Sequence, residues 1–226
     1  PTDIDIYTFQ ADYEDKLWGG TLGLGSKISR VISDNTFLFY EELNDVPVQN
    51  DKRSNLFKYD EKVYAGYVSY NRDLSKKWKL AAGLRAEQTD ASGDIQAFVP
   101  ELQEPPVLLN YLSWFPNAGL TWDFAPKHSL ALNAGRRINR PDYNVLNPFN
   151  NQISQLSYEK GNPFLRPEIV NNLELGYTLA YRYNFKLAYS RTTDQITRLI
   201  APDEVAVSYT HLKLPTKDLG ENWGAP

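Results

Sequence analysis

The sequence predicts an all-β fold: an antiparallel, up-and-down transmembrane β-barrel segment, about eight strands of a larger barrel. Three observations predict it. Side-chain polarity alternates with a period of two, short and long connections alternate along the chain, and aromatic residues gather beside the short connections.

The elements follow in order. Residues 4–14 form the first expected strand, with Tyr7, Phe9, Ala11 and Tyr13 opposing Thr8, Gln10 and Asp12. The second, 19–32, holds Gly19, Gly20, Gly23 and Gly25, and glycine in a strand marks a bend or a close approach. Residues 36–41 are expected to extend it after a bulge near Ser33–Asn35. The third is 59–72. The fourth, 78–90, is the clearest. Trp78, Leu80, Ala82, Leu84 and Ala86 take one face, and Lys79, Ala81, Gly83, Arg85 and Glu87 the other. A helix would scatter both sets, whereas a strand separates them.

The fifth strand, 114–124, sets Leu120, Trp122 and Phe124 against Gly119, Thr121 and Asp123. In the sixth, 128–138, Leu130, Leu132 and Ala134 share a face with Arg136. The seventh, 168–181, alternates Leu173, Leu175, Tyr177, Leu179 and Tyr181 with Asn172, Glu174, Gly176, Thr178 and Ala180. The eighth, 185–199, puts Phe185, Leu187 and Tyr189 against Lys186, Ala188 and Ser190, with Arg191 on the apolar side. An arginine facing lipid costs about 2–4 kcal/mol at the midplane and about zero at the interface. The sequence leaves open whether Arg136 and Arg191 sit at the headgroups or are turned inward by a bulge.

Short turns are expected at Glu14–Trp18, Asp73–Lys77, Ala125–Lys127 and Arg182–Asn184, and long loops at 43–58, 91–113 and 139–167. Outer-membrane barrels have this arrangement, with short periplasmic turns and long extracellular loops. Trp18, Trp78, Trp122, Phe124, Tyr181, Tyr183 and Phe185 lie beside the short turns, where they would form an interfacial girdle. The opposite faces carry Lys79, Arg85, Glu87, Glu174 and Lys186, as a polar lumen requires. Arg85, Glu87, Arg137 and Glu174 are the candidate lumen-facing ligand contacts.

Bulk composition narrows the function. Aromatics are 13% of the chain, led by 15 tyrosines, which suits a membrane–water interface. A net charge of −4 without a basic stripe argues against nucleic acid. No apolar run approaches the roughly 18 residues of a membrane helix. A barrel strand needs only about 9–11 alternating residues, so a membrane remains open. There is no cysteine, and His128 and His211 are the sole histidines, so a metal centre or a nucleophilic triad has little to draw on. Asn44, Asp45, Asn50 and Asp51 lack the spacing of an EF-hand loop. No cofactor, metal or catalytic residue is expected.

Motifs then carry a resemblance. Arg136-Arg137-Ile138-Asn139-Arg140-Pro141-Asp142-Tyr143 is followed by Leu146-Asn147-Pro148-Phe149. Next come Tyr158-Glu159-Lys160-Gly161-Asn162-Pro163-Phe164-Leu165-Arg166-Pro167-Glu168 and Asn172-Leu173-Glu174-Leu175-Gly176-Tyr177. With Tyr64-Ala65-Gly66-Tyr67 and Gly83-Leu84-Arg85-Ala86-Glu87, these resemble the barrel domain of TonB-dependent receptors over residues 4–200. They resemble in particular the outer-membrane β-barrel family common in Bacteroidota-type bacteria. The resemblance implies a barrel of about 22 strands closed by a plug. It implies energised import of a large nutrient such as a siderophore, a cobalamin or a glycan. It also implies a bacterial outer-membrane location and a periplasmic TonB-type energy coupler that engages the plug.

Physical chemistry assigns the proline-rich motif a loop-ordering role of its own. Pro141, Pro148, Pro163 and Pro167 stop ladder pairing, and Gly161-Asn162-Pro163 reads as a turn. Direct ligand contact by this loop is the alternative.

With no methionine and Pro1 at its start, the chain is expected to be an internal fragment, with 1–206 as a partial barrel domain. Val207–Thr216 resembles a translated transposon-type sequencing adapter, apart from one lysine, so 207–226 is expected to be a non-native tail. Two other functions remain: a soluble β-sandwich or carbohydrate-binding module, and a non-energised porin.

Overall fold

The structure is a computed structural model describing residues 2–103, 105–147, 150–154, 157–162 and 164–201. β1 covers Thr2–Leu17, β2 Gly20–Phe37, β3 Tyr40–Leu43, β4 Val46–Gln49, β5 Asn55–Asp73 and β6 Trp78–Ala97. After a 3-10 turn at Pro100–Leu102 come β7, Val107–Ala125, and β8, His128–Asn139. The chain continues through a short helix α1, Tyr143–Leu146, β9, Asn150–Ser154, and β10, Ser157–Lys160. β11, Glu168–Leu179, and β12, Tyr183–Thr193, complete the order.

Eight strands form one antiparallel sheet in the order β1-β2-β5-β6-β7-β8-β11-β12. The gaps in numbering are two satellite hairpins, β3–β4 and β9–β10. β1 and β12 each have one neighbour, so the sheet is open. Among the described residues no helix is long and apolar enough to cross a membrane. The compact unit ends at Ile196. Of the second unit, residues 197–201 are exposed and without regular structure. The expected tail, 207–226, lies outside the described residues.

Several expected boundaries are corrected. The first turn falls at Trp18–Gly19, with φ of 50° and 73°, not at Glu14–Trp18. Two successive positive φ values match the twist of a two-residue hairpin. Another turn spans 180–182, earlier than Arg182–Asn184, because Ala180 and Tyr181 adopt positive φ after β11 ends. β12 stops at Thr193 and not 199. Asp194 turns to a φ of 56°, and the Ile196 N–H donates to Glu168. No bulge interrupts Ser33–Asn35, since β2 keeps one register against both neighbours. Residues 36–41 do not extend β2 as a unit. β2 ends at Phe37, and Tyr40 opens a local hairpin closed by Asn44 and Asp45, φ 53° and 64°.

The largest correction is strand length. β6 and β7 consume most of the expected loop 91–113, and β5 takes residues 55–58 from the expected loop 43–58. Their alternation inverts partway along. On the lower part of β6, outward Trp78, Leu80, Ala82, Leu84 and Ala86 are apolar. Above Gln88 the same face carries Asp90, Ser92 and Asp94, while Ala91 and Ile95 are buried on the other side. The row Tyr7–Arg30–Lys62–Asp90–Asn110 marks this change across five strands. The cause is a change of solvent on the outer face, from hydrocarbon below to water above.

Eight residue steps from Trp78 to Ala86 make about 27 Å along the strand, or about 20 Å of height at a tilt of about 40°. On the far strands, Arg136 pairs with Asn171, which pairs with Arg191, all in unbroken register. Both arginines therefore stay outward, in one row with Asn171. Neither is turned inward by a bulge.

The girdle is a chain of rings at the short-turn end. Trp78 stacks on Trp122 at 5.1 Å, Trp122 meets Phe124 at 5.2 Å, and Tyr177 bridges Phe124 and Phe185 at 6.3 and 6.1 Å. His128 Nδ1 lies 2.7 Å from the Tyr177 hydroxyl. Trp18 and Tyr181 occupy the turns themselves, beyond the last ladder pairs.

Candidate lumen-side site

The inward face of β1, β5 and β6 carries a connected polar network. It begins on β1, where Gln10 donates to Asp12 at 2.8 Å and to the Tyr67 hydroxyl at 3.0 Å. Tyr67 reaches across β2 from β5 and donates to Asp12. Gly25 makes that reach possible, because a Cβ there would stand 2.2 Å from the Tyr67 ring. The Arg85 guanidinium lies over this ring, 5.3 Å from its centroid, close enough for a cation–π contact.

Arg85 leads into a four-charge clamp. Its Nε donates to Glu87 at 2.5 Å. The other oxygen of Glu87 accepts from Arg140 Nη2 at 2.7 Å. Arg140 also donates to Thr89 at 3.3 Å, and its Nε faces Glu61 at 3.7 Å. Tyr59 donates to the far oxygen of Glu61 at 3.2 Å. Glu61 and Glu87 are each 6% exposed and Thr89 is fully buried. Such burial is tolerable because two cations oppose two anions. Burial disfavours the Arg140 charge, yet its hydrogen bond to Glu87 and the charge of Glu61 outweigh it and bind the proton more firmly.

Arg140 belongs to no strand. It begins the segment that leaves β8 and folds onto the inward face. Six residues on, Leu146 is 1% exposed and packs in a cluster with Phe57, Tyr59, Ala91 and Ile95. Leu109 and Leu165 border the cluster. The expected loop 139–167 is therefore partly ordered. The Gly161 N–H donates to the Asn147 carbonyl at 2.9 Å and the Asn162 N–H to the Val145 carbonyl at 2.8 Å. A Cβ at Gly161 would come within 2.3 Å of the Asn147 oxygen. The Phe164 N–H caps onto the Asn162 side chain at 2.9 Å. Pro167 is buried just before β11, and Pro141 follows Arg140 directly. Pro148 and Pro163 lie outside the described residues.

Of the candidate ligand contacts, Arg85 and Glu87 meet in the clamp. Glu174 is elsewhere on the same face, paired with Lys186 at 2.5 Å. Arg137 is exposed on that face and has no partner among the described residues. Sequence reasoning missed Glu61, and it quoted Asp12, Tyr67, Arg140 and Leu146 without a place in this site. One signal was present: around Glu61, carboxylate, tyrosine and valine share a phase that inverts the phase of Tyr64 and Val68. Among the described residues no cluster of histidines and carboxylates is fit to hold a metal ion.

Asn44 and Asp45 make the β3–β4 turn, and Asn50 donates to Glu41 at 2.8 Å. These residues serve local structure.

Comparison with known proteins agrees with this architecture. The model of the outer membrane protein beta-barrel family matches residues 1–213. No curated protein matches the chain. Among solved structures, the ferric-catecholate import receptor Fiu from E. coli K12, in a closed form, superposes with a TM-score of 0.55 at 13% identity. That match covers 84% of this chain and 31% of the Fiu chain. The RagAB peptide importer in its closed-closed state matches at 13% identity and a TM-score of 0.29, over 84% of this chain and 30% of that one. The chain thus spans less than a third of each of these two solved chains.

Proposed function

This chain belongs to the outer membrane protein beta-barrel family of the bacterial outer membrane, and we propose on that footing that it is part of an energised receptor importing a large nutrient. The intact protein would take up a siderophore, a cobalamin or a glycan, with a plug in the lumen and a TonB-type coupler in the periplasm. The observation that carries the reading is the inward face. Its mid-height is polar and charged, from Gln10 and Asp12 through Tyr67, Arg85 and Glu87. Its upper rim is narrowed by a segment folded in from the loop side. A wall of this kind presents hydrogen-bonding groups to a solute and restricts its passage. A barrel lumen filled by apolar side chains would do neither.

The test is uptake by cells carrying the intact gene as sole receptor. Labelled ferric siderophore, cobalamin and oligosaccharide are supplied with and without a protonophore, and in a strain lacking the energy coupler. Uptake of one class that vanishes in both treatments is expected. Uptake indifferent to both would assign a passive porin, and no uptake of any class would reject the import reading.

A further inference from the structure

The upper third of the sheet forms a collar with its own interior. Outside it, Arg30 pairs with Asp60 at 2.6 Å and Lys58 lies 3.8 Å from Asp34, both in water. Inside it, Phe57, Tyr59, Ala91 and Ile95 make an apolar seat on rigid strands. Leu146, from outside the sheet, fills the seat, and Leu165 packs at its border. One further attachment lies beside it, the Arg140 guanidinium between Glu61 and Glu87.

We propose that residues 140–147 are a latched strap: Arg140 is the catch, and releasing it from Glu87 and Glu61 lifts Leu146 and opens the apolar seat to the lumen. Three features support a catch over a permanent core. The strap is a connecting segment anchored to the inward face through Arg140 and Leu146, while the seat belongs to continuous strands. The catch is incomplete, since the buried Arg140 Nε makes no hydrogen bond and stands 3.7 Å from Glu61. A partly satisfied buried network is a weak point where a segment opens first. Finally, the strap moves as a unit, because Gly161 and Asn162 tie its carbonyls at Val145 and Asn147 to the returning chain. The opened seat would accept an aliphatic or aromatic group of a solute, and a solute anion would compete with Glu87 for Arg140. This use of the seat rests on the import reading; the latch itself does not.

The experiment reads thiol accessibility, with no solute present. The intact protein is made cysteine-free and carries either Leu146→Cys or, as exposed reference, Ile153→Cys (Ile153 is 66% exposed). Each is reacted with a membrane-impermeant maleimide in folded, lipid-embedded protein. With the catch intact, the L146C thiol is expected to react at least about tenfold more slowly than the I153C thiol. Adding Arg140→Gln is expected to bring the two rates within about threefold. Glu87→Gln, which keeps shape and removes the anion, should act in the same direction, and it stands in if Arg140→Gln does not fold. L146C reacting as fast as I153C with the catch intact would overturn the latch. So would an unchanged slow rate in both catch variants. Loss of uptake in the earlier experiment would leave this result untouched.

Discussion

Glu87 accepts from two guanidiniums at once, and this decides what a substitution in the clamp does. Removing one member leaves the others buried without their counter-charge, which costs more than the pair was worth. Arg140→Gln should therefore destabilise the folded protein by about 2–3 kcal/mol, the full-burial figure being reduced because Arg140 is partly exposed. The triple change Glu61→Gln, Glu87→Gln, Arg140→Gln should cost less than that single change, because no fully buried ion is left uncompensated. Denaturant unfolding in lipid vesicles measures both. A triple variant weaker than Arg140→Gln alone would show that the ions themselves are worth more than their burial costs. Arg85, about a third exposed, can turn to water in the triple variant. The clamp was only half legible in the sequence. Arg85 and Glu87 share a strand face two residues apart, so period two shows them together. Arg140 joins them from 53 positions away, and no local pattern encodes that distance.

At the scale of the strand, what matters is where the phase changes. β7 carries Leu120 and Leu108 on the same outward face, one inside the apolar band and one above it. Leu120→Arg puts a cation into the apolar band just above the Trp122 girdle, at about 1–2 kcal/mol, between the interfacial and the midplane cost. Leu108 is 75% exposed on the water side, so Leu108→Arg should stay within about 0.5 kcal/mol. Unfolding midpoints of the two variants in the same vesicles check this, and equal losses would contradict the position of the boundary. The strands below the change were legible because they keep one strict alternation, as in Trp78 to Glu87. Those above it were mistaken for loop because the alternation continues in opposite phase. The sequence Ala91-Ser92-Gly93-Asp94-Ile95 reads as polar and glycine-rich until its apolar positions are counted on the other face. The same inversion explains Asp3 and Asp5 beside Tyr7 and Phe9. The order within 139–167 was less legible, because carbonyls at Val145 and Asn147 are satisfied from Gly161 and Asn162 across a sequence gap.

The whole sheet places these boundaries in a membrane, and tryptophans report them. Trp122 stacks with Trp78 at the short-turn end, and Trp114 lies on the same strand at the upper edge of the band, opposite Ala86. Eight residue steps separate Trp114 and Trp122, about 27 Å along the strand, so the two indoles belong to opposite interfaces. Indole rings settle at headgroup depth because the ring is apolar and the N–H seeks water. Protein retaining only Trp114, or only Trp122, with the other tryptophans changed to phenylalanine, should be quenched more by lipids brominated near the headgroup than by lipids brominated near the chain ends. Both variants must show this preference, because the apolar rows between them span one membrane thickness. Deep quenching of Trp114 would raise the boundary toward the collar and place the row Arg30–Lys62–Asp90 against lipid, where its charges could not be solvated. Deep quenching of Trp122 would displace the ring chain from the interface and leave the short turns inside hydrocarbon. That position is untenable, because the turn carbonyls and amides have no second strand to satisfy them.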